Sequence, residues 1–148
     1  MPVGFELVTP ERLVVSTAVE MVVVPGAEGN FGVLPGHAPF ISTLRPGTID
    51  IYEGRTVTRR IFVGGGFAEV TPERCTVLAD EAMPPEALDR AQLDAELTEV
   101  EGNQPSLREQ LGQAHGADRE RLAAELSRLE RRQAVARAKL QVLGEIGR

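Results

Sequence analysis

His37 is the residue in this chain that most invites a chemical reading. An imidazole titrates near neutral pH and can act as a general acid or base. It sits in Pro35-Gly36-His37-Ala38-Pro39, a motif with no Ser, Cys or Asp to serve as its nucleophile or orienting partner. A small hydrolase built on His37 is therefore a minor reading, one that turnover abolished by His37→Ala would support. Gly64-Gly65-Gly66 has the composition of a phosphate cradle. It lacks the following helix N-terminus and the Lys-Ser/Thr of a P-loop, so the run better suits a bulge or a close backbone approach. Cys75 alternates with Val77 and Ala79 and reads as a small core residue. A single cysteine excludes an intrachain disulfide and supplies no metal cluster. The expectation is a chain with no catalytic residues, no metal and no cofactor.

Composition narrows the partners. The chain has 148 residues, a formal net charge of -6, 4% aromatic residues and no Trp. Negative charge disfavours binding to a phosphate backbone, and too few rings are present for a base-stacking platform, so no nucleic-acid partner is expected. No apolar run approaches the roughly 18 residues of a membrane span, and the start lacks a signal-peptide pattern. A soluble protein of a reducing compartment is expected, without direct membrane insertion; membrane association would come through a partner.

The positioning elements centre on Val24 to Pro39, where seven of sixteen positions are Gly or Pro. Neither a regular helix nor a long central strand is expected to pass through it. Its apolar members, Val24, Phe31, Val33 and Leu34, would anchor stiff turns to a scaffold. Stiff loops on a β-scaffold are common contact sites, although corners of a small β-domain have the same composition. Short apolar runs surround it. Phe5 and Leu7 share a face; Leu13 to Ser16 and Val19 to Val24 follow, with Met21 to Val24 expected to be buried on both faces. Thr9-Pro10-Glu11-Arg12 recurs as Thr71-Pro72-Glu73-Arg74, and both copies suit a type I turn between antiparallel strands. Arg45-Pro46-Gly47-Thr48 has a type II turn signature, with positive φ expected at Gly47. Ile49 and Ile51 alternate with polar neighbours, Thr56 to Val63 is rich in β-branched residues, and the last strand runs from Arg74 to Asp80. Short strands separated by frequent turns predict an antiparallel β-sandwich over residues 1–84.

Composition changes at Met83-Pro84-Pro85, and residues 85–148 read as an antiparallel helical hairpin. One helix is expected from Leu88 to Val100, broken at Gly102-Asn103-Gln104-Pro105. A short helix capped by Ser106 and Glu109 follows, then a second interruption at 115–117 and a long helix capped by Asp118. Leu122, Leu126, Leu129, Gln133, Ala136, Leu140 and Leu143 repeat with the coiled-coil period, and Gln133 with Ala136 leaves that seam thin. Arg121, Arg128, Arg132 and Lys139 fall near one another on the same helix. They form either a basic contact stripe or a solvated face paired with nearby Glu.

An ordered series of motifs in the first 84 residues resembles the epsilon subunit of bacterial F-type ATP synthases. The series comprises Glu28-Gly29-Asn30-Phe31-Gly32, Pro35-Gly36-His37-Ala38-Pro39, Leu44-x-Pro46-Gly47, Gly65-Gly66-Phe67-x-Glu69-Val70 and Thr76-Val77-Leu78-Ala79-Asp80-x-Ala82. The resemblance implies a non-catalytic rotor subunit of the central stalk, peripheral on the cytoplasmic face of the bacterial inner membrane. It implies a contact with the membrane c-ring through Gly29, Asn30, Phe31, Gly36 and His37. A gamma-subunit contact is implied around Gly65, Gly66, Phe67 and Asp80. The C-terminal helices are implied to reach the alpha/beta catalytic head through Arg121, Arg128, Arg132 and Lys139, restraining ATP hydrolysis. Some bacterial members bind ATP through Ile/Leu-Asp-x-x-Arg-Ala. Leu88-Asp89 matches its start, but Gln92 stands where the Arg belongs, so ATP binding is not carried over. A rival reading is a free-standing β-sandwich adapter that binds an unrelated coiled-coil partner, which would have no affinity for stalk or ring proteins.

Overall fold

The computed structural model describes residues 2–146. The chain divides into two compact units, Met1–Ala87 and Leu88–Arg148. The first holds ten strands: β1 Val3–Val8, β2 Leu13–Val19, β3 Met21–Gly26, β4 Gly29–Val33, β5 Phe40–Leu44, β6 Gly47–Glu53, β7 Thr56–Val63, β8 Gly66–Val70, β9 Arg74–Ala79 and β10 Ala82–Met83. Their order is β10-β7-β6-β3-β5-β8-β9-β1-β2, with β4 added to β3. The β3–β5 step is a single pairing of Gly26 with Leu44, so this point joins the two halves of the sandwich. Every pairing is antiparallel except β1 with β9. Alternation fills the space between the halves: Val3, Phe5 and Leu7 of β1, Val22 and Val24 of β3, Ile49 and Ile51 of β6, and Cys75, Val77 and Ala79 of β9 are all buried in one core.

Both Thr-Pro-Glu-Arg segments close antiparallel hairpins by the same bonds. The Thr9 N–H donates to the Arg12 carbonyl (2.9 Å) and the Thr71 N–H to the Arg74 carbonyl (2.8 Å). Gly64-Gly65-Gly66 is a close backbone approach: a Cβ on Gly66 would lie 2.1 Å from the Leu78 carbonyl oxygen.

Four local expectations for this unit are corrected. Gly47 does not have positive φ; a Cβ there would lie 3.0 Å from the Pro25 ring, so glycine answers a packing demand rather than a type II turn. Met21 and Val23 are only half-buried, because they lie on the outer side of the β3–β4 ribbon, over Gly32. The organising stretch is part strand, since β3 and β4 pair through it around a two-residue turn at Ala27 and Glu28. Strand structure extends past Asp80 to β10, which pairs with Phe62 and Val63 of β7.

In the second unit, α1 (Arg90–Gln113) and α2 (Gly116–Ile146) form an antiparallel hairpin with its turn at Ala114 and His115. Asp89 caps α1, its carboxylate accepting from the Gln92 N–H at 3.2 Å. The break expected at Gly102 to Pro105 is absent. Proline removes one helix bond and strains the preceding turn. Pro105, however, is exposed, while its neighbours Val100, Gln104 and Leu107 are buried and keep the heptad facing α2. Packing of that stripe outweighs the local cost. Ser106 consequently lies inside the helix and accepts from Gln110 (3.1 Å) rather than capping a new one. Asp118 likewise sits within the first turn of α2, paired with Arg121.

Candidate functional site

The residues expected at the ring contact fall on β4 and the turn after it, and one frame braces them. Hairpin closure requires glycine at Gly26, where a Cβ would lie 2.6 Å from the Gly29 carbonyl oxygen and 2.9 Å from the Phe31 ring. Gly29 has φ 143° and Gly36 φ 80°, values that favour glycine. Arg45, just past the end of β5, grips the hairpin: its guanidinium donates to the Gly26 carbonyl and to the Asn30 side-chain oxygen. Its backbone N–H also donates to the Pro25 carbonyl (2.9 Å). Phe40 is the second brace. Phe31 meets it edge-on at 5.0 Å, and His37 lies tilted against it at 5.1 Å. The Gly36 N–H donates to the Pro72 carbonyl at 2.7 Å, tying this turn to the second Thr-Pro-Glu-Arg turn.

His37 Nδ1 lies 2.9 Å from the Ala38 carbonyl oxygen, which favours a proton on that nitrogen. Ring packing and a backbone bond position this imidazole, and no nucleophile is set against it in the bonds it makes. A groove of about 380 Å³ runs beside the hairpin tip, with Glu28 on one wall and Ile41, 70% exposed, on the other. Burial pushes the Cys75 thiol up to about 11, which leaves it protonated and inert at neutral pH.

The second expected set, Gly65, Gly66, Phe67 and Asp80, also converges. The Asp80 N–H donates to the Gly65 carbonyl at 3.1 Å. Phe67 and Asp80 line a groove of about 310 Å³ with Val8, Pro10 and Leu78. Strand register shows why the groove is apolar. Phe67 pairs with Leu78, Leu78 with Val8, and Val8 with Leu13, so these side chains form one cross-strand row on the outer face. Leu13 (55%), Phe67 (44%) and Leu78 (41%) are the exposed members of that row.

The basic set on α2 is divided by the seam. Arg132 lies 3.3 Å from Glu96 of α1, and Arg121 lies 3.5 Å from Asp118. Lys139 is half-buried and engaged as well. Arg128 is exposed. Sequence reasoning missed Arg45 and Phe40, whose targets lie across the hairpin and leave no local signal. It also missed Gln104, which the heptad would have revealed had Pro105 not been taken as a break.

The chain is a β-sandwich with a braced turn and an exposed apolar row, followed by a helical hairpin. Among the described residues no His, Cys, Asp and Glu side chains cluster as metal ligands, and no helix is long and apolar enough to cross a membrane. Residues 3–85 match the family described as ATP synthase, Delta/Epsilon chain, beta-sandwich domain. The ATP synthase epsilon chain of Rhodospirillum centenum is 53% identical over 141 residues, covering 94% of this chain and 90% of that one. That of Rhodospirillum rubrum is 69% identical over 78 residues, 53% of this chain and 58% of its own. The fold is shared with a chain in the cryo-EM structure of Euglena gracilis mitochondrial ATP synthase, with F1 and c-ring (TM-score 0.72, 22% identity, covering 96% of this chain and 81% of that one). The chain belongs to the ATP synthase delta/epsilon family, and its relatives are epsilon chains.

Proposed function

We propose that this chain is the non-catalytic central-stalk subunit of a proton-driven ATP synthase, linking the stalk to the membrane ring. It belongs to the membrane-bound complex as a peripheral member, on the cytoplasmic face of the bacterial inner membrane. The observation that carries the reading is the bracing of the ring-side residues. A rotor connector must transmit torque without yielding, and a turn held by a guanidinium fork and shared aromatic packing resists displacement better than a free loop. Asn30, Phe31 and His37 are the side chains offered to the ring, with Gly29 and Gly36 setting the backbone that presents them. The row Leu13, Val8, Leu78 and Phe67, with Gly65, Gly66 and Asp80 beside it, is the surface offered to the gamma subunit; an exposed apolar row of this kind marks a protein contact.

For a restraint on hydrolysis by the helices, Arg121 and Arg132 are already engaged within the helical unit. Arg128 is the member of that set best placed to meet an acidic head surface. ATP binding is not part of the proposal: Gln92 departs from the nucleotide pattern, and the Asp89 carboxylate caps α1. The test is affinity purification of the tagged chain from membranes of its native host. Co-purification of stalk, ring and head subunits is expected. Recovery without them would favour the adapter reading and overturn this one.

A further inference from the structure

The α1–α2 seam contains a matched polar layer. Gln104 is 4% exposed, and its amide nitrogen donates to the Gln133 side-chain oxygen at 3.1 Å. The Gln104 oxygen accepts from Arg108 (3.0 Å), and the Gln133 nitrogen donates to Glu101 (2.7 Å). Three ion pairs flank the layer: Glu96–Arg132, Glu101–Arg137 and Arg108–Glu130. Leu93, Val100, Leu107 and Leu122 are buried along the rest of the seam. A buried amide in a leucine seam costs stability unless its partner also supplies an amide.

We infer that this layer is a pairing code, which restricts the α1 and α2 seams to each other in one antiparallel register. The alternatives show how strict the code is. Sliding α2 by seven residues one way keeps apolar residues opposed at Leu93–Ala136, Val100–Leu129 and Leu107–Leu122. It also sets Gln104 against Leu126, Gln133 against Leu97, Glu101 against Glu130 and Glu96 against Glu125. Sliding it the other way sets Gln104 against Leu140, Gln133 against Leu111 and Arg108 against Arg137. Both slips leave the buried Gln104 amide and the half-buried Gln133 amide without their partners and bring like charges together, so both are disfavoured. The short turn at Ala114 and His115 already fixes the register of the closed hairpin. The same discrimination applies to slipped pairings of α1 with the α2 of a second copy of this chain, which no turn constrains.

A double-mutant cycle on the full chain tests this, with helix content followed during heating and mass followed by sedimentation. Gln104→Leu and Gln133→Leu should each lower the midpoint of helix loss by roughly 5 °C or more. The double substitution should recover or exceed the parent midpoint. It should also make the chain self-associate at concentrations where the parent remains a monomer. Additive losses in the double variant would overturn the pairing of the amides. A recovered midpoint without self-association would overturn the selectivity.

Discussion

Replacing Gly36 offers a direct test of the proposed ring contact. Its φ is 80°, and no atom lies within 4 Å of where a Cβ would stand. Steric clash with neighbours therefore contributes nothing, and the whole cost of Gly36→Ala is intrinsic to the left-handed backbone, about 1–2 kcal/mol. The turn has two ways to shed that strain. Global unfolding would appear as a melting shift of about 5–15 °C for a unit of this size. Local displacement would instead break the bond from the Gly36 N–H to the Pro72 carbonyl and lift His37 from Phe40. At 1.4 kcal/mol per tenfold, this local route shifts the turn population by about tenfold, and affinity for the ring falls by a similar factor. Val is worse than Ala, because a β-branched side chain tolerates positive φ least. Asn tolerates the left-handed region and should retain most of the affinity. The assay is binding of purified variants to membranes depleted of this subunit, followed by proton-driven ATP synthesis. Equal losses for Gly36→Asn and Gly36→Ala would refute the backbone argument. Full coupling with Gly36→Val would refute the contact itself.

Three further outcomes are expected. Arg45→Met keeps much of the side-chain length but removes the fork on Gly26 and Asn30; it should leave the sandwich folded and weaken ring binding several-fold, measured in the same reconstitution. A stop after Ala87 should leave a folded β-unit that joins the complex and supports synthesis, and hydrolysis should rise in membranes only if the helices restrain it; loss of folding on truncation would reject the two-unit architecture. Hydrogen bonds from Gln133 and then Arg137 hold the Glu101 carboxyl below its usual range. Its contribution to helix stability is thus full above the unfolded value and lost as pH falls through the lowered one, so an acid titration of helix content should be flattened by Glu101→Gln.

Residues with local causes were legible in the sequence. The alternation of Phe5 with Leu7 and of Cys75 with Val77 and Ala79 gave their burial, and the repeated Thr-Pro-Glu-Arg gave two hairpin turns. What escaped was set by distant partners. Gly47 carries the local signature of a type II turn, but its requirement comes from Pro25, brought against it by the fold. Pro105 looks like a helix end because the rule is local, whereas the stripe that overrides it spans the length of α1. Within the site, Gly29 and Gly36 announced themselves by type. Arg45 did not, because a guanidinium shows its target only after the hairpin has folded beneath it.

The parallel pairing of β1 with β9 has a consequence for how the protein is made. Val3–Val8 is translated before the other strands of this sheet, yet one of its two neighbours is Arg74–Ala79, translated after seven intervening strands. The opening hairpin with β2 forms early, but its other edge stays bare until the ninth strand emerges. Closure across such a separation is slow and leaves apolar surface open meanwhile. The nascent chain is therefore most exposed to misassociation before β9 emerges, and chaperone dependence should be greatest in that interval.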